Sequence, residues 1–106
     1  MAETFVNKTV ALGTTADTSV YSPSGATAIV IHCQVANVDG TNAADLYMDD
    51  YDGTTAAAII DALEVPANSA VNPIGGKLVL EDGDQLRAWA SAVSDLELTL
   101  GILEIS

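Results

Sequence analysis

Positive charge is what this sequence has least of. Three Lys and Arg stand against 15 Asp and Glu, for a formal net charge of -12. Without a basic patch nothing can neutralise phosphates and release their counterions, which excludes direct binding to nucleic acid or to an anionic membrane. The acidity serves solubility or complementarity to a basic surface instead. Cysteine is nearly absent too. With Cys33 alone, no intrachain disulfide can form and Cys-based zinc sites are excluded; its place in an apolar run reads as packing rather than as a reactive thiol. His32 is the sole histidine and falls mid-strand, which leaves nucleophilic catalysis without a supported base. Aromatic residues make up 5% of the chain, so a carbohydrate platform could draw only on Tyr47, Tyr51 and Trp89. No apolar run approaches the ~18 residues of a membrane span. The start "MAETFVNKTVAL" lacks a basic segment followed by an apolar one, so the expectation is a soluble chain made in the cytoplasm.

What remains is a chain of 106 residues with 49% hydrophobic residues and a mean hydropathy of +0.31. That length suits a single domain, 1–106, which buries about two-thirds of the surface of its unfolded chain. Apolar residues recur with a period of two, the mark of strands with one buried face. In "AIVIHCQVAN" the pattern predicts Ile29, Ile31, Cys33 and Val35 on one face, and Val30, His32, Gln34 and Ala36 on the other. In "DLELTLGILEI", Leu96, Leu98, Leu100 and Ile102 alternate with polar residues until Leu103 and Ile105 break the phase, and Gly101 at the break predicts a bulge. Further strands are expected in "TFVNKTVAL", "TSVYS", "ADLYMDDY", "GKLVLE" and "QLRAWAS". In "AAAIIDALEV" helix propensity competes, but the surrounding punctuation favours a strand.

That punctuation is regular. Asp39-Gly40, Asp52-Gly53 and Asp82-Gly83, with "SPSG", "PANS" and "NPIGG" between them, supply turn chemistry every 8 to 15 residues or so. About seven to eight short strands so spaced predict an all-β fold, a single small β-sandwich of jelly-roll or Ig-like type.

The segment "LYMDDYDG" is the densest group of candidate ligands. An EF-hand counted from Asp50 puts Asp52 at the third position, but Thr55 falls where glycine is required and Asp61 where a bidentate Glu is required. The spacing fails, and the segment reads as a strand end with Leu46 and Met48 inward, Tyr47 and Asp49 outward, and a turn at Asp52-Gly53; an irregular calcium site shared with "DGTNAAD" stays open. The carboxylates at Glu81, Asp82 and Asp84 form no constellation. "GGK" at Gly75–Lys77 lacks P-loop spacing, and "NKT" at Asn7 is a bare sequon. No catalytic residue, cofactor or metal is therefore expected, and the chain does not read as an enzyme.

Interface residues are the better expectation. Trp89 lies out of phase with Leu86, Ala88 and Ala90 and so points outward, as does Tyr47; exposed Trp is enriched at interface anchors. "ETFVNKTV", with Phe5 and Val6, is extended in character at a free end, so Ala2–Asn7 could act as an arm adding a strand to a neighbour's sheet. Lys8, Lys77 and Arg87 are the only cations available to guard strand edges.

Taken end to end, "TSVYSPSGATAIVIHCQVANVDGTNAADLYM", "VPANSAVNPIGGKLVLEDGDQLRAWAS" and "LELTLGILEI" resemble a loose group of small tailed-bacteriophage virion proteins. The resemblance spans Thr18 to Ile105. It implies a non-enzymatic structural protein of the virion, assembled in the bacterial host cytoplasm: a capsid decoration (cement) protein that binds across capsomers and stabilises the mature head. The implied partners are itself, with a trimer slightly preferred as homo-oligomer, and the major capsid protein or other virion proteins. A neck, tail or fibre-associated protein is the alternative within the virion. A carbohydrate- or calcium-binding host-attachment module is the alternative outside that class.

Overall fold

The computed structural model describes residues 2–106; Met1 lies outside them. The described residues form nine strands: β1 (Glu3–Ala11), β2 (Thr18–Tyr21), β3 (Thr27–Asn37), β4 (Ala44–Tyr51), β5 (Ala56–Val65), β6 (Ala70–Val71), β7 (Leu78–Leu80), β8 (Gln85–Ala90) and β9 (Leu96–Ile105). All pairings are antiparallel. One five-stranded sheet runs β1-β9-β3-β6 with β7 also beside β3, and a four-stranded sheet runs β2-β8-β4-β5. The fold is thus all-β, with β6 the strand that the alternation had not announced.

Chain order explains the architecture. Among the described residues, β4 and β5 are the only consecutive strands that pair with each other; the other connections carry the chain across the sandwich or join the two short pieces beside β3. The resulting orders, β1-β9-β3-β6/β7 facing β2-β8-β4-β5, are those of a jelly roll, in which paired strands are brought in from distant parts of the chain. Between the Ig-like and jelly-roll options, the structure is the second. "AAAIIDALEV" is a strand, since its place beside β4 outweighs the helix propensity of Ala and Leu.

Leu46, Met48, Leu80, Leu86, Leu96, Leu98, Leu100, Ile102, Val30 and Val35, each at most 1% exposed, fill the space between the sheets. Burying each such side chain contributes about 1.5–3 kcal/mol. Their alternation along β9 runs through Ile102 as expected, and β9 pairs with β1 from Glu97 to Ile105 without a register shift, so the bulge expected at Gly101 is not in this strand. The irregularity lies across from it, in β3: Val30 pairs with Ile102 and His32 with Gly101, leaving Ile31 as an extra residue. This bulge corrects the expected faces of β3. Ala28 and Val30 point inward before it and Cys33, Val35 and Asn37 after it, whereas Ile31 is 44% exposed and Ile29 lies in the outward phase. Gly101 eases the close approach opposite the bulge, because a Cβ there would lie 3.3 Å from the Cβ of His32.

Asn37 ties the corner where β3 leaves its sheet. Its buried side-chain amide donates to the carbonyls of Asn42 and Val65, both at 2.9 Å, and its oxygen accepts from the Asp39 amide at 2.9 Å. At the free end, β1 pairs with β9 of its own chain at every position from Glu3 to Ala11, and Ala2 exchanges two backbone hydrogen bonds with Ser106. The expected arm, Ala2–Asn7, is therefore an edge strand of this domain.

Gly101→Val should lower stability by about 1–3 kcal/mol, the usual cost of forcing a side chain into occupied space, because the Cβ of His32 cannot rotate away. Thermal melts should show a fall of about 4–8 °C per kcal/mol. Thr99→Val, one outward position earlier on β9, should change stability by less than about 0.5 kcal/mol.

Candidate functional site

Strand alternation and register build the outer face of the four-stranded sheet. With Leu46 and Met48 in the core, Tyr47, Asp49 and Tyr51 of β4 project outward, directly opposite Trp89, Arg87 and Gln85 of β8. Tyr47 and Trp89 stack with ring centroids 5.6 Å apart and planes 4° from parallel. Beside them the Arg87 guanidinium makes a two-pronged contact with Asp49, Nε to Oδ1 and Nη2 to Oδ2, both at 2.7 Å. Its Nη1 reaches Asp17 at 2.9 Å, and the group lies 4.2 Å over the Tyr51 ring. The hydrogen bonds that Arg87 donates to Asp49 raise its pKa above its ordinary value. Asp49 is thus outward in phase, as expected, yet 6% exposed because Arg87 covers it. Arg87 guards no edge, since β8 lies between β2 and β4.

The remaining aspartates of "MDDYDG" have different tasks. Asp52 accepts hydrogen bonds from the amides of Thr55 and Thr54, at 2.7 and 2.9 Å, which closes the β4–β5 turn and lowers its pKa. Asp50 shares a cleft with Asp52, Glu81 and Asp84. Burial raises its pKa, with the charges of Asp84, Asp52 and Asp49 adding to the effect. Asp84 in turn caps the Glu81 amide at 2.9 Å. Asp39, in "DGTNAAD", accepts from the amides of Thr41 and Asn42, and its pKa is lowered. That loop enters β4 at the end opposite to Asp50 and Asp52, eight residues and about 3.3 Å per residue away, so the two acidic segments are not brought together.

The outer face of the five-stranded sheet is of another kind. Phe5 pairs with Leu103, Leu103 with Ile29, and Ile29 with Val79. These four apolar side chains form one outward row across four strands, about 14 Å long at the usual strand spacing. Phe5 is 77% exposed, Val79 55% and, at the adjoining bulge, Ile31 44%. Of the residues expected at interfaces, then, Phe5 lies on this face, Tyr47 and Trp89 meet on the opposite one, and Val6 packs against the core. Ile29, Leu103 and Val79 went unnoticed as a group. The visible signal was the apolar pair Leu103 and Ile105, which makes the end of β9 apolar on both faces.

Between the edges β1 and β2 lies a cleft of about 240 Å³, lined by Val10, Ala11, Leu12, Gly13, Thr18 and Ala88 among others. Aliphatic groups dominate it. Further along the same opening, Tyr21 donates to Glu104 and so bridges the sheets. Burial, and then the Glu104 carboxylate, keep the Tyr21 hydroxyl protonated beyond the ordinary phenol range. Cys33 is 3% exposed and burial pushes its thiol up to about 12.

No protein-family model matches the sequence, and no curated protein does. Among solved structures the chain is similar to a protein of the Bacillus endospore appendages, which form a novel family of disulfide-linked pili. That similarity has a TM-score of 0.53 and 13% identity, and covers 100% of this chain and 91% of that one. A fainter similarity, TM-score 0.41 and 14% identity, is to VP2 of the infectious bursal disease virus subviral particle; it covers 94% of this chain and 32% of that one. At 13% identity the likeness to the pilus protein is one of fold.

Arg87→Ala should cost about 1.5–3 kcal/mol in denaturant unfolding, because it removes the charge-assisted hydrogen bonds to Asp49 and leaves that carboxylate beside Asp50 without a counter-charge. Arg87→Ala with Asp49→Ala should recover at least half of that loss. Asp50→Asn should do the reverse and raise the melting temperature at pH 7. A raised folded-state pKa means that the stability tied to the Asp50 proton is full below the unfolded value, about 3.9, and is lost as pH rises through the folded one. The gain from Asp50→Asn should accordingly vanish in melts run below about pH 3.9.

Proposed function

We propose that the protein is a non-enzymatic structural component of a bacteriophage particle, a capsid decoration (cement) protein that stabilises the mature head by binding across capsomers. The observation that carries this reading is the division of the sandwich into two unlike faces: an apolar row of Phe5, Leu103, Ile29 and Val79, and an acidic face ordered by Arg87. A domain whose distinctive features are two broad surfaces works by contact. The sequence resemblance to small virion proteins supports the same reading, as does the jelly-roll likeness to a pilus protein, whose copies assemble. The disulfide linkage of those pili does not transfer, because Cys33 sits in the core of this domain.

Most of the negative charge lies on the four-stranded sheet and in the turns, where Asp45, Asp61 and Glu64 add to the aspartates already described. A capsid surface rimmed by Lys and Arg would meet it with electrostatic steering and a marked sensitivity to salt. Contacts presented only by the mature lattice would then stabilise that lattice by mass action.

The test is co-sedimentation with heads purified from the phage that carries the gene. Binding should saturate, weaken as salt is raised from about 50 mM towards 500 mM, and raise the temperature at which heads release DNA. Heads that neither bind nor gain stability, together with retention of the protein on a glycan array, would instead favour host attachment through the Tyr47–Trp89 stack.

A further inference from the structure

We infer that the outer face of the five-stranded sheet is the surface by which two copies of this chain pack together, sheet against sheet, around the row Phe5, Leu103, Ile29 and Val79. This deepens the assembly reading above and rests on it for the protein's purpose, not for the contact itself.

Charge selects the occupant. Of the 15 acidic residues, only Glu3, Glu97 and Glu104 lie on strands of this sheet. Glu104 turns inward to Tyr21, while Glu3 and Glu97 stand near opposite ends of the outward face. Between them the outward positions are Thr9, Thr99, Gln34, Asn7, Gly101 and His32, beside the apolar row. For two molecules that each carry a net charge of -12, this is the face that brings few acids into apposition. Packed back to back, the two acidic sheets lie outermost, about 30 Å apart at ~10 Å per layer, several times the ~8 Å screening length of physiological salt. A basic partner would gain little here and would be drawn to the other face.

Area points the same way. The ten residues of β9 run about 33 Å, and four strand widths add about 19 Å. The flat footprint of about 600 Å² corresponds, with side-chain relief, to the ~800 Å² per partner of a stable interface. The apolar row would anchor this interface towards the Glu3–Ile105 end, and the Thr, Gln and Asn positions would fill the polar remainder. One self-complementary face generates a two-fold dimer, with aligned sheets crossing at about -30°.

The edges are blocked as an alternative route. In β1 the charged Lys8 occupies an inward-phase position between Val6 and Val10. Strand β5 is broken by two register shifts against β4, with Ala62 at φ 58. Strand β2 is also shifted against β8, and β6 and β7 are two and three residues long. Inward charges, bulges and short strands are the usual means of preventing edge-to-edge pairing.

The experiment is sedimentation velocity over a range of concentrations on wild type, Phe5→Glu, Val79→Glu and the control Val93→Glu. Val93 is 58% exposed but lies in the turn between β8 and β9. Wild type and Val93→Glu should sediment as dimers, and Phe5→Glu and Val79→Glu as monomers with unchanged circular dichroism and melting temperature. A wild type that stays monomeric at every concentration overturns the inference, as does a dimer that survives both substitutions. The same variants in the head-binding assay separate the two proposals. Dimers that ignore heads would refute the cement reading alone. Head binding by a wild-type monomer, lost in Phe5→Glu, would refute the dimer and assign this face to the capsid.

Discussion

The bulge in β3 opposite Gly101 is the constraint from which the rest of the structure follows. Strict alternation over the eleven residues of β3 would have put either Ala28 and Val30 or Cys33 and Val35 into the core, but not both. One extra residue, Ile31, changes the phase midway, so the strand delivers Val30 to one end of the core and Cys33, Val35 and Asn37 to the other. Asn37 can then turn its side chain under the corner and hold the crossing to β4. At its closest approach the bulge faces Gly101, where a Cβ would crowd that of His32 at 3.3 Å. The cost is that Ile31 is turned towards solvent next to an already apolar row.

The bulge shapes one face of the molecule and leaves the other regular. On the five-stranded sheet it places Ile31 beside Ile29 and Leu103, which concentrates apolar surface where few acids stand. A patch of this kind is more often functional than accidental on a small domain. On the four-stranded sheet, the alternation of β4 and β8 stays regular and sets complementary residues opposite one another: ring against ring, carboxylate against guanidinium. With three Lys and Arg in the whole chain, committing one to a covered ion pair gives Arg87 a structural role, since Asp49 and Asp17 both depend on it.

Four acidic residues elsewhere act as turn makers. Asp39 and Asp52 each accept backbone amides from their own loops, Asp82 accepts the Gly25 amide and Asp84 the Glu81 amide. A carboxylate satisfied by two amides is easily ionised and holds the turn above the carboxylate pKa range. Asp50 is the exception, and its raised pKa reflects burial among its acidic neighbours. Four of the 15 acidic residues are therefore part of the chemistry of jelly-roll corners, and the Asp-Gly steps that announced those corners are found there.

The sequence by itself determined the fold class, the β8 and β9 core positions, the turn sites and the outward aromatic pair, because period-two alternation and Asp-Gly chemistry are local properties. Trp89 out of phase with Leu86, Ala88 and Ala90 was enough to place it outside. Local patterns could not reveal the β3 bulge, because Ile29, Val30 and Ile31 are all apolar and fit either phase; only pairing with β9 decides which one is extra. Nor could they reveal that Arg87 would be shared between Asp49 and Asp17, or that Phe5, Leu103, Ile29 and Val79 would line up. Those four residues are scattered along the chain, and register between strands brought together across the whole sequence is a property of the tertiary structure alone. Where β1 lies was decided in the same way: an extended, polar-apolar segment at a chain end reads equally as an arm or an edge strand, until nine positions of β9 supply it with hydrogen-bond partners.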